Sequence, residues 1–375
     1  MRTRAAVLRT SSAPRPFSQT RPLDVVEVEL DPPGPGEVLV RVEAAGICHS
    51  DLSVLNGDRL RPLPMALGHE AAGVVSEVGP GVGDVRPGDH VVLVFVPACG
   101  LCRHCTSGTP ALCVAGAAAN GSGDLLGGGS RLHAADGSRI HHHLGVSAFS
   151  EYTVVDRRSL VVVDPDVPLE VAALFGCAML TGYGAAQNTA QVRAGQSVAV
   201  FGLGGVGLAA VIGAAVAGAF PIIAVDPVAA KREVALRAGA TATFSPEEAS
   251  EGIAELTGGG AQVAIEAVGS PAVLSQAFTA TARGGRTVAT GLPNPGSRLD
   301  LPALDLIASA KTLMGSYMGS SVPQRDIPGM VALWKAGRLP VEVLNSGEVA
   351  LQDINAAMDA LADARVMRQI VRPHA

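Results

Sequence analysis

The 375-residue chain is 48% apolar and only 17% charged, a balance that excludes a disordered protein. Its formal charge of −6 lacks the basic excess that duplex nucleic acid demands of a binder. Aromatic residues make up 3%, so the core has to be built from Val, Ala, Leu and Ile, and the length allows two or three domains.

The opening MRTRAAVLRT carries basic residues but no apolar run of about 7–15 residues, so no export signal is expected and the chain is assigned to the cytoplasm. In that reducing setting, six Cys in close groups point to metal rather than to disulfides. Residues 1–178 read as β-rich. Val-rich runs at 37–42, 73–78, 90–95 and 152–156 are separated by Gly and Pro clusters such as DPPGPGE and GPGVGDVRPGD, the pattern of a barrel or sandwich. Residues 115–145, rich in Gly, Ala and His, are expected to form a long functional loop.

From residue 179 the rhythm changes to strand and helix in alternation. Strands are predicted at 197–201, 222–225, 241–244, 262–267, 286–290 and 312–317, which implies a doubly wound parallel sheet. A helix is predicted over 227–238, with Asp226 as N-cap, Pro227 at its first position and Gly239 after it. The stretch 194–225 is uncharged, but its glycines and Pro221 divide it into strand, turn, helix and strand, so it is not read as a membrane span. After residue 318, helical patterns at 327–335 and 353–362 are too short for a domain and should fold back onto the first.

VAVFGLGGVGLAA places Gly202, Gly204 and Gly207 in G-x-G-x-x-G register between an apolar strand and an apolar helix. In that context Gly202 permits the tight turn, Gly204 lets the backbone approach a pyrophosphate at the helix N-terminus, and Gly207 lets helix and sheet pack closely. Gly205 and Val206 complete the turn, and Val268 lies past the fourth predicted strand; all three are cofactor candidates. Asp226, 19 residues after Gly207, stands where an acid meets the adenosine ribose and would repel a 2′-phosphate, favouring NAD over NADP. Lys231 lies one helical turn further on and is within reach of the same ribose. The alternative is a Gly-rich packing turn with Asp226 as a plain cap.

Cys99, Cys102, Cys105 and Cys113 form C-x2-C-x2-C-x7-C, and four thiolates within 15 residues can close a structural tetrahedral zinc site. A redox switch or a nucleic-acid knuckle are the alternatives. Cys48 in GICHSDL, His69 in GHE and Cys177 in LFGCAMLTGYGAA would together give a two-Cys, one-His set, the composition of a catalytic zinc with a free fourth position. Each alone also fits a buried core side chain.

With GHEAAGVV, the four-Cys lobe, FGLGGVG and the Asp226 strand end in order, the chain resembles the zinc-dependent medium-chain alcohol dehydrogenases, in their liver-type long-loop branch, nearly end to end. The resemblance implies a GroES-like catalytic domain over 1–178 and 318–375, with the zinc lobe at 97–115, and a Rossmann domain over 179–317. It implies zinc ligands Cys48, His69 and Cys177, with Glu70 behind the metal and Asp51 orienting His69. Ser50 would contact the substrate oxygen, Thr181 the nicotinamide, and His49 and Arg368 the pyrophosphate. It further implies two zinc ions per chain, NAD, an alcohol substrate and a homodimer. Reversible hydride transfer from a primary, allylic or aryl alcohol to NAD is expected, with no nucleic acid or membrane partner. A nicotinoprotein holding NAD permanently, a thiol-dependent formaldehyde dehydrogenase and a non-catalytic redox sensor are the rivals.

Three departures stand out. Ser53 replaces the His that ends the proton relay in many relatives. Ala117 and its neighbours lack the Arg that holds a glutathione carboxylate. Arg59 and His143 fall where liver-type relatives carry apolar pocket residues, so Ser50, Arg59, Phe95 and His143 are the substrate-pocket candidates.

Overall fold

A computed structural model describes all 375 residues. Contacts divide it into two compact units, one of Met1–Cys177, Val322–Val331 and Asn345–Ala375, the other of Ala178–Ser321 and Ala332–Leu344.

The first unit is built on two sheets. A closed barrel runs through Arg2–Leu8, Leu23–Leu30, Leu132–His133, Arg139–His142 and Met65–Ala66. A larger sheet is centred on Glu37–Gly46, which pairs with Ala71–Val78 on one side and with Tyr152–Asp156 and then Arg368–Arg372 on the other. This strand is buried along nearly its whole length, with Val38, Val40 and Val42 alternating with Glu37, Leu39, Arg41 and Glu43, of which Arg41 and Glu43 are half-buried. Val38, Val40, Val42, Ile47, Leu67, Phe149 and Met358 belong to one core cluster.

The second unit is a six-stranded parallel sheet in the order Ala242–Phe244, Ile222–Val225, Val198–Phe201, Ala261–Glu266, Thr281–Ala289 and Thr312–Gly315. The doubly wound class and the six strands predicted for it are borne out. The order reverses between Val198–Phe201 and Ala261–Glu266, and ligands of such sheets bind at that switch point.

Several local expectations need correction. Residues 115–145 are not one loop: the helix Val114–Ser122 and the strands Leu132–His133 and Arg139–His142 lie there. Small residues mask the helix, and strands of two and four residues leave no period to read. The predicted 227–238 helix begins at Ala229: the Asp226 carboxylate accepts the Val228 amide across a bend at Pro227, and Val228, not Asp226, is the extended N-cap residue. The C-terminal tail contributes the strands Asn345–Ala350 and Arg368–Arg372 as well as helices, and residues 332–344 group with the second unit. The uncharged 194–225 stretch is the strand Val198–Phe201, the helix Gly205–Val216 and the strand Ile222–Val225. The helical run Leu169–Thr189 is long and apolar enough to cross a membrane, but 83% of its most apolar window is buried within the protein.

Candidate metal and dinucleotide sites

Cys48, His69 and Cys177 come together in the first unit, with their ligand atoms all within 4.8 Å of one another and each side chain at most 7% exposed. Cys48 follows the strand Glu37–Gly46 and caps the helix His49–Leu55. His69 lies between Met65–Ala66 and Ala71–Val78, after Gly68, whose φ of +92° and close approach to the Phe149 backbone leave no room for a Cβ. Cys177 sits in a π-helical turn, Phe175–Met179, a local widening common at functional positions. Its Sγ is 3.4 Å from His69 Nε2, close to the edge of a tetrahedron with metal–ligand bonds of about 2.0–2.3 Å. The donor set fits zinc and leaves one of four positions for another ligand.

Asp51 governs two of these residues. Its Oδ2 accepts the Cys48 amide at 2.9 Å, and its Oδ1 lies 2.9 Å from His69 Nδ1. Burial works against both charges, but the attraction between them and the hydrogen bonds carry His69 up to about 10 and Asp51 down to about 2. Hydrogen bonding from the Cys177 thiol holds Cys48 well below the usual thiol range, against burial, and the same contact and burial raise Cys177. Behind the trio, the fully buried Glu70 pairs with Arg368, whose Nη1 also donates to the Ile47 carbonyl at 3.2 Å.

The rings of Phe95 and His143 both stand edge-on to His69, at centroid distances of 5.6 and 5.2 Å. His143 is 1% exposed, and desolvation lowers its pKa. Asn120, from the helix Val114–Ser122, donates to the Phe95 carbonyl at 2.7 Å and ties that helix to this wall. His49 and Ser50 open the helix His49–Leu55, His49 exposed and Ser50 half-buried, and Arg59 is half-buried. Ser53 Oγ donates to the His49 carbonyl at 2.8 Å. Ser147, which receives the His143 amide on its Oγ, is a residue that no motif singles out.

The second cysteine group also closes. Cys99, Cys102, Cys105 and Cys113 have their Sγ atoms within 4.8 Å of one another, with Cys99–Cys105 at 3.9 Å and Cys102–Cys105 at 3.6 Å. Those separations match the edges of a zinc tetrathiolate, about 3.8 Å for bonds of about 2.3 Å. The amides of Cys99, Cys102 and Gly116 point at sulfurs, at 3.2–3.3 Å. Backbone hydrogen bonding lowers Cys102 to about 6, while burial lifts Cys105 to about 12.

In the second unit, Gly202, Gly204, Gly205, Val206 and Gly207 form the turn from Val198–Phe201 into the helix Gly205–Val216, whose N-terminus no side chain caps. A Cβ on Gly207 would strike the Gly202 carbonyl. Asp226 accepts the amides of Leu203 at 2.8 Å and Val228 at 2.9 Å, so its carboxylate stands against the turn. Val268 lies against Gly202. Thr181 is 8% exposed, next to Gly182, which packs on Val206. Lys231 is 9% exposed on the helix Ala229–Arg237, where Arg232 Nη1 donates to the Asp226 carbonyl. Uncapped amides and a side-chain-free approach suit a pyrophosphate.

A thiolate–imidazole metal set in one unit and a phosphate-binding turn in the other define a metal-dependent, nucleotide-linked oxidoreductase. Residues 34–165 match the family model of the alcohol dehydrogenase GroES-like domain, and residues 205–336 that of the zinc-binding dehydrogenases. The chain belongs to the zinc-dependent alcohol dehydrogenases and is an NAD-dependent oxidoreductase. It is 41% identical, over 99% of both chains, to an NDMA-dependent alcohol dehydrogenase of Amycolatopsis methanolica. It is 39% identical to an S-(hydroxymethyl)glutathione dehydrogenase of Synechocystis, over 99% of this chain and all of that one. Among solved structures it is similar to a zinc-binding alcohol dehydrogenase domain protein of Burkholderia ambifaria (TM-score 0.94, 38% identity, all of both chains). It is also similar to a benzyl alcohol dehydrogenase of Acinetobacter calcoaceticus (TM-score 0.92, 33% identity, 99% of both chains).

Proposed function

We propose that the protein interconverts a primary, allylic or aryl alcohol and its carbonyl compound, with NAD, at a zinc ion held by Cys48, His69 and Cys177. The observation that carries this is the convergence of those three buried ligands with a fourth position open. A zinc ion bound there supplies Lewis acidity that makes a hydroxyl group acidic near neutral pH, and NAD supplies the hydride acceptor. Asp51 keeps His69 with its proton on Nδ1 and its Nε2 free to ligate. Phe95 and His143 wall the ligand set and keep water from it. Ser50 Oγ takes the alcohol proton. The Ser53 hydroxyl gives its own proton to the His49 carbonyl, so Ser53 does not carry the proton onward. The four-Cys lobe holds a second, structural zinc, giving two per chain. Screening alcohols with added NAD tests the reading: no oxidation of any primary, allylic or aryl alcohol by zinc-loaded protein would sink it.

The similarity to a relative named NDMA-dependent favours a second reading, in which NAD stays bound and an external acceptor removes the electrons. NAD released only on denaturation, with turnover requiring an added acceptor, would select it.

A cytoplasmic homodimer completes the proposal. Thr312–Gly315 is an edge strand of the parallel sheet, and the adjoining helix Ala303–Ala308 buries none of its residues, leaving Leu304 and Ile307 each 77% exposed. A second copy added along that edge would pair the strand and cover these side chains. Light scattering that reports a monomer would remove this part.

A further inference from the structure

We propose that His143 is a positioning residue for the metal ligand His69 and acts through the carboxylate they share, that of Asp51. Asp51 Oδ1 lies 2.9 Å from His69 Nδ1 and 3.2 Å from His143 Nδ1. All three side chains are sealed from solvent, and the two imidazoles meet edge to face at 83°. His69 is thus held on two sides: Asp51 fixes its tautomer, and the His143 ring limits rotation of its plane.

The fold delivers the pair by topology. Met65–Ala66 and Arg139–His142 are parallel neighbours, with Ala66 opposite His142. Both strands end running in the same direction, so His69 and His143 emerge side by side. The backbone beyond His143 is unusual for the residues it uses. Leu144, Gly145 and Ser147 all have left-handed φ, at +53°, +68° and +53°, though only one of them is a glycine. Such conformations cost of order 1 kcal/mol or more at a non-glycine residue and persist where the surroundings impose them. The imposing contacts are visible. Ser147 Oγ accepts the His143 amide at 2.9 Å and donates to the Ala66 carbonyl at 2.8 Å, while the amides of Ala148 and Phe149 bond to the carbonyls of Gly68 and Leu67. The turn that carries His143 is therefore fastened to the segment that carries His69. An apolar side chain would fill the same volume but would remove the Nδ1 that faces Asp51 Oδ1, leaving the carboxylate held by His69 and the Cys48 amide alone. With His143 in place, the carboxylate and the ring plane are both set, and so is the direction of the His69 Nε2 lone pair toward Cys48 and Cys177.

The inference rests on the reading of Cys48, His69 and Cys177 as a metal site, and the test separates the two. Zinc release to a chromogenic chelator is followed for the wild-type holoenzyme, Cys177→Ser, His143→Leu and His143→Asn, together with the visible spectrum of each after cobalt exchange. The release phase missing from Cys177→Ser reports the trio. In His143→Leu that phase should quicken ~10–100-fold, the usual cost of losing a partner behind a metal ligand, and the cobalt bands should shift. His143→Asn, whose amide nitrogen falls near the position of Nδ1, should restore both. Should the Leu variant fail to fold, His143→Gln, which cannot place its amide there, takes its role. If Cys177→Ser keeps every phase, the metal reading falls and takes this inference with it. If Cys177→Ser behaves as stated and the Leu or Gln variant keeps the wild-type rate and spectrum, the role of His143 alone is overturned.

Discussion

The guanidinium of Arg368 lies 2.5 Å from the carboxylate of Glu70, and neither side chain is more than 3% exposed. Two residues 298 positions apart thus form a closed ion pair directly behind the cysteine and histidine trio. Removing one partner leaves the other charge buried and unmatched, at a cost of ~3–5 kcal/mol. Glu70→Ala should lose about that much in urea unfolding. A double change, Glu70→Gln with Arg368→Met, should lie closer to wild type than Glu70→Ala alone. Additive losses would show that the two residues do not act as a pair.

The two cysteine groups should separate by phenotype. Metal analysis of the wild type should return about two zinc ions per chain, one for each ligand set. Cys105→Ser should lower thermal stability, as loss of a structural metal does. Cys177→Ser should lose one equivalent and nearly all turnover while unfolding close to the wild-type temperature. A wild-type content of one or none would refute the assignment.

Asp226 accepts two backbone amides and is proposed to meet the cofactor ribose, and its replacement should show both. Its carboxylate accepts the Leu203 and Val228 amides, so Asp226→Gly should destabilise the protein by ~1–3 kcal/mol. The same change removes the acid proposed to meet the ribose hydroxyls, so the Kd for NAD should rise about tenfold or more. A variant that is less stable but binds NAD unchanged would leave Asp226 with the first task only.

Proton transfer divides the two serines of the helix His49–Leu55. Ser50→Ala should lower kcat ~100-fold or more, the usual cost of losing a positioned proton acceptor. Ser53→Ala should leave turnover nearly unchanged, because the Ser53 hydroxyl already donates to the His49 carbonyl. Ser53→His should raise the rate at mildly acidic to neutral pH if proton exit limits turnover. A Ser50→Ala enzyme with wild-type turnover on every alcohol would remove the relay.

Asp359 predicts part of the acid sensitivity. It is buried, accepts the Phe17 and Ser18 amides at 2.8 Å and lies 3.6 Å from Arg15. Burial opposes its charge, but these contacts hold its pKa below the usual value. A depressed folded-state pKa stabilises the protein above the unfolded-state pKa of about 3.9, and that stability is lost as pH falls through the folded value. Asp359→Asn should therefore be less stable at pH 7 by ~1–3 kcal/mol, with the gap closing as the pH drops below about 4. A gap that does not change with pH would show that charge plays no part.

What the sequence alone determined is local or strongly patterned. The four-Cys lobe closes within 15 residues, so its spacing suffices. The parallel sheet announces itself through continuous apolar strands and a glycine turn, because a strand buried on both faces tolerates few polar residues. Cys48, His69 and Cys177 were legible through their motifs. Tertiary structure decided what those residues meet. Glu70 and Arg368 are joined only when the strand Arg368–Arg372 enters the sheet beside Glu37–Gly46, and no local pattern in that tail marks a strand with so distant a partner. The helix Val114–Ser122 was hidden by its small residues, and the strand Arg139–His142 by its brevity. In the sequence, His143 is one of three consecutive histidines, and only the resemblance to liver-type relatives singled it out, as a pocket candidate rather than as a partner of Asp51. Successive residues of a strand point to opposite faces, and where a strand ends depends on its partner. Pairing with Met65–Ala66 and the left-handed turn beyond together turn His143, and not His141 or His142, onto the carboxylate that holds His69.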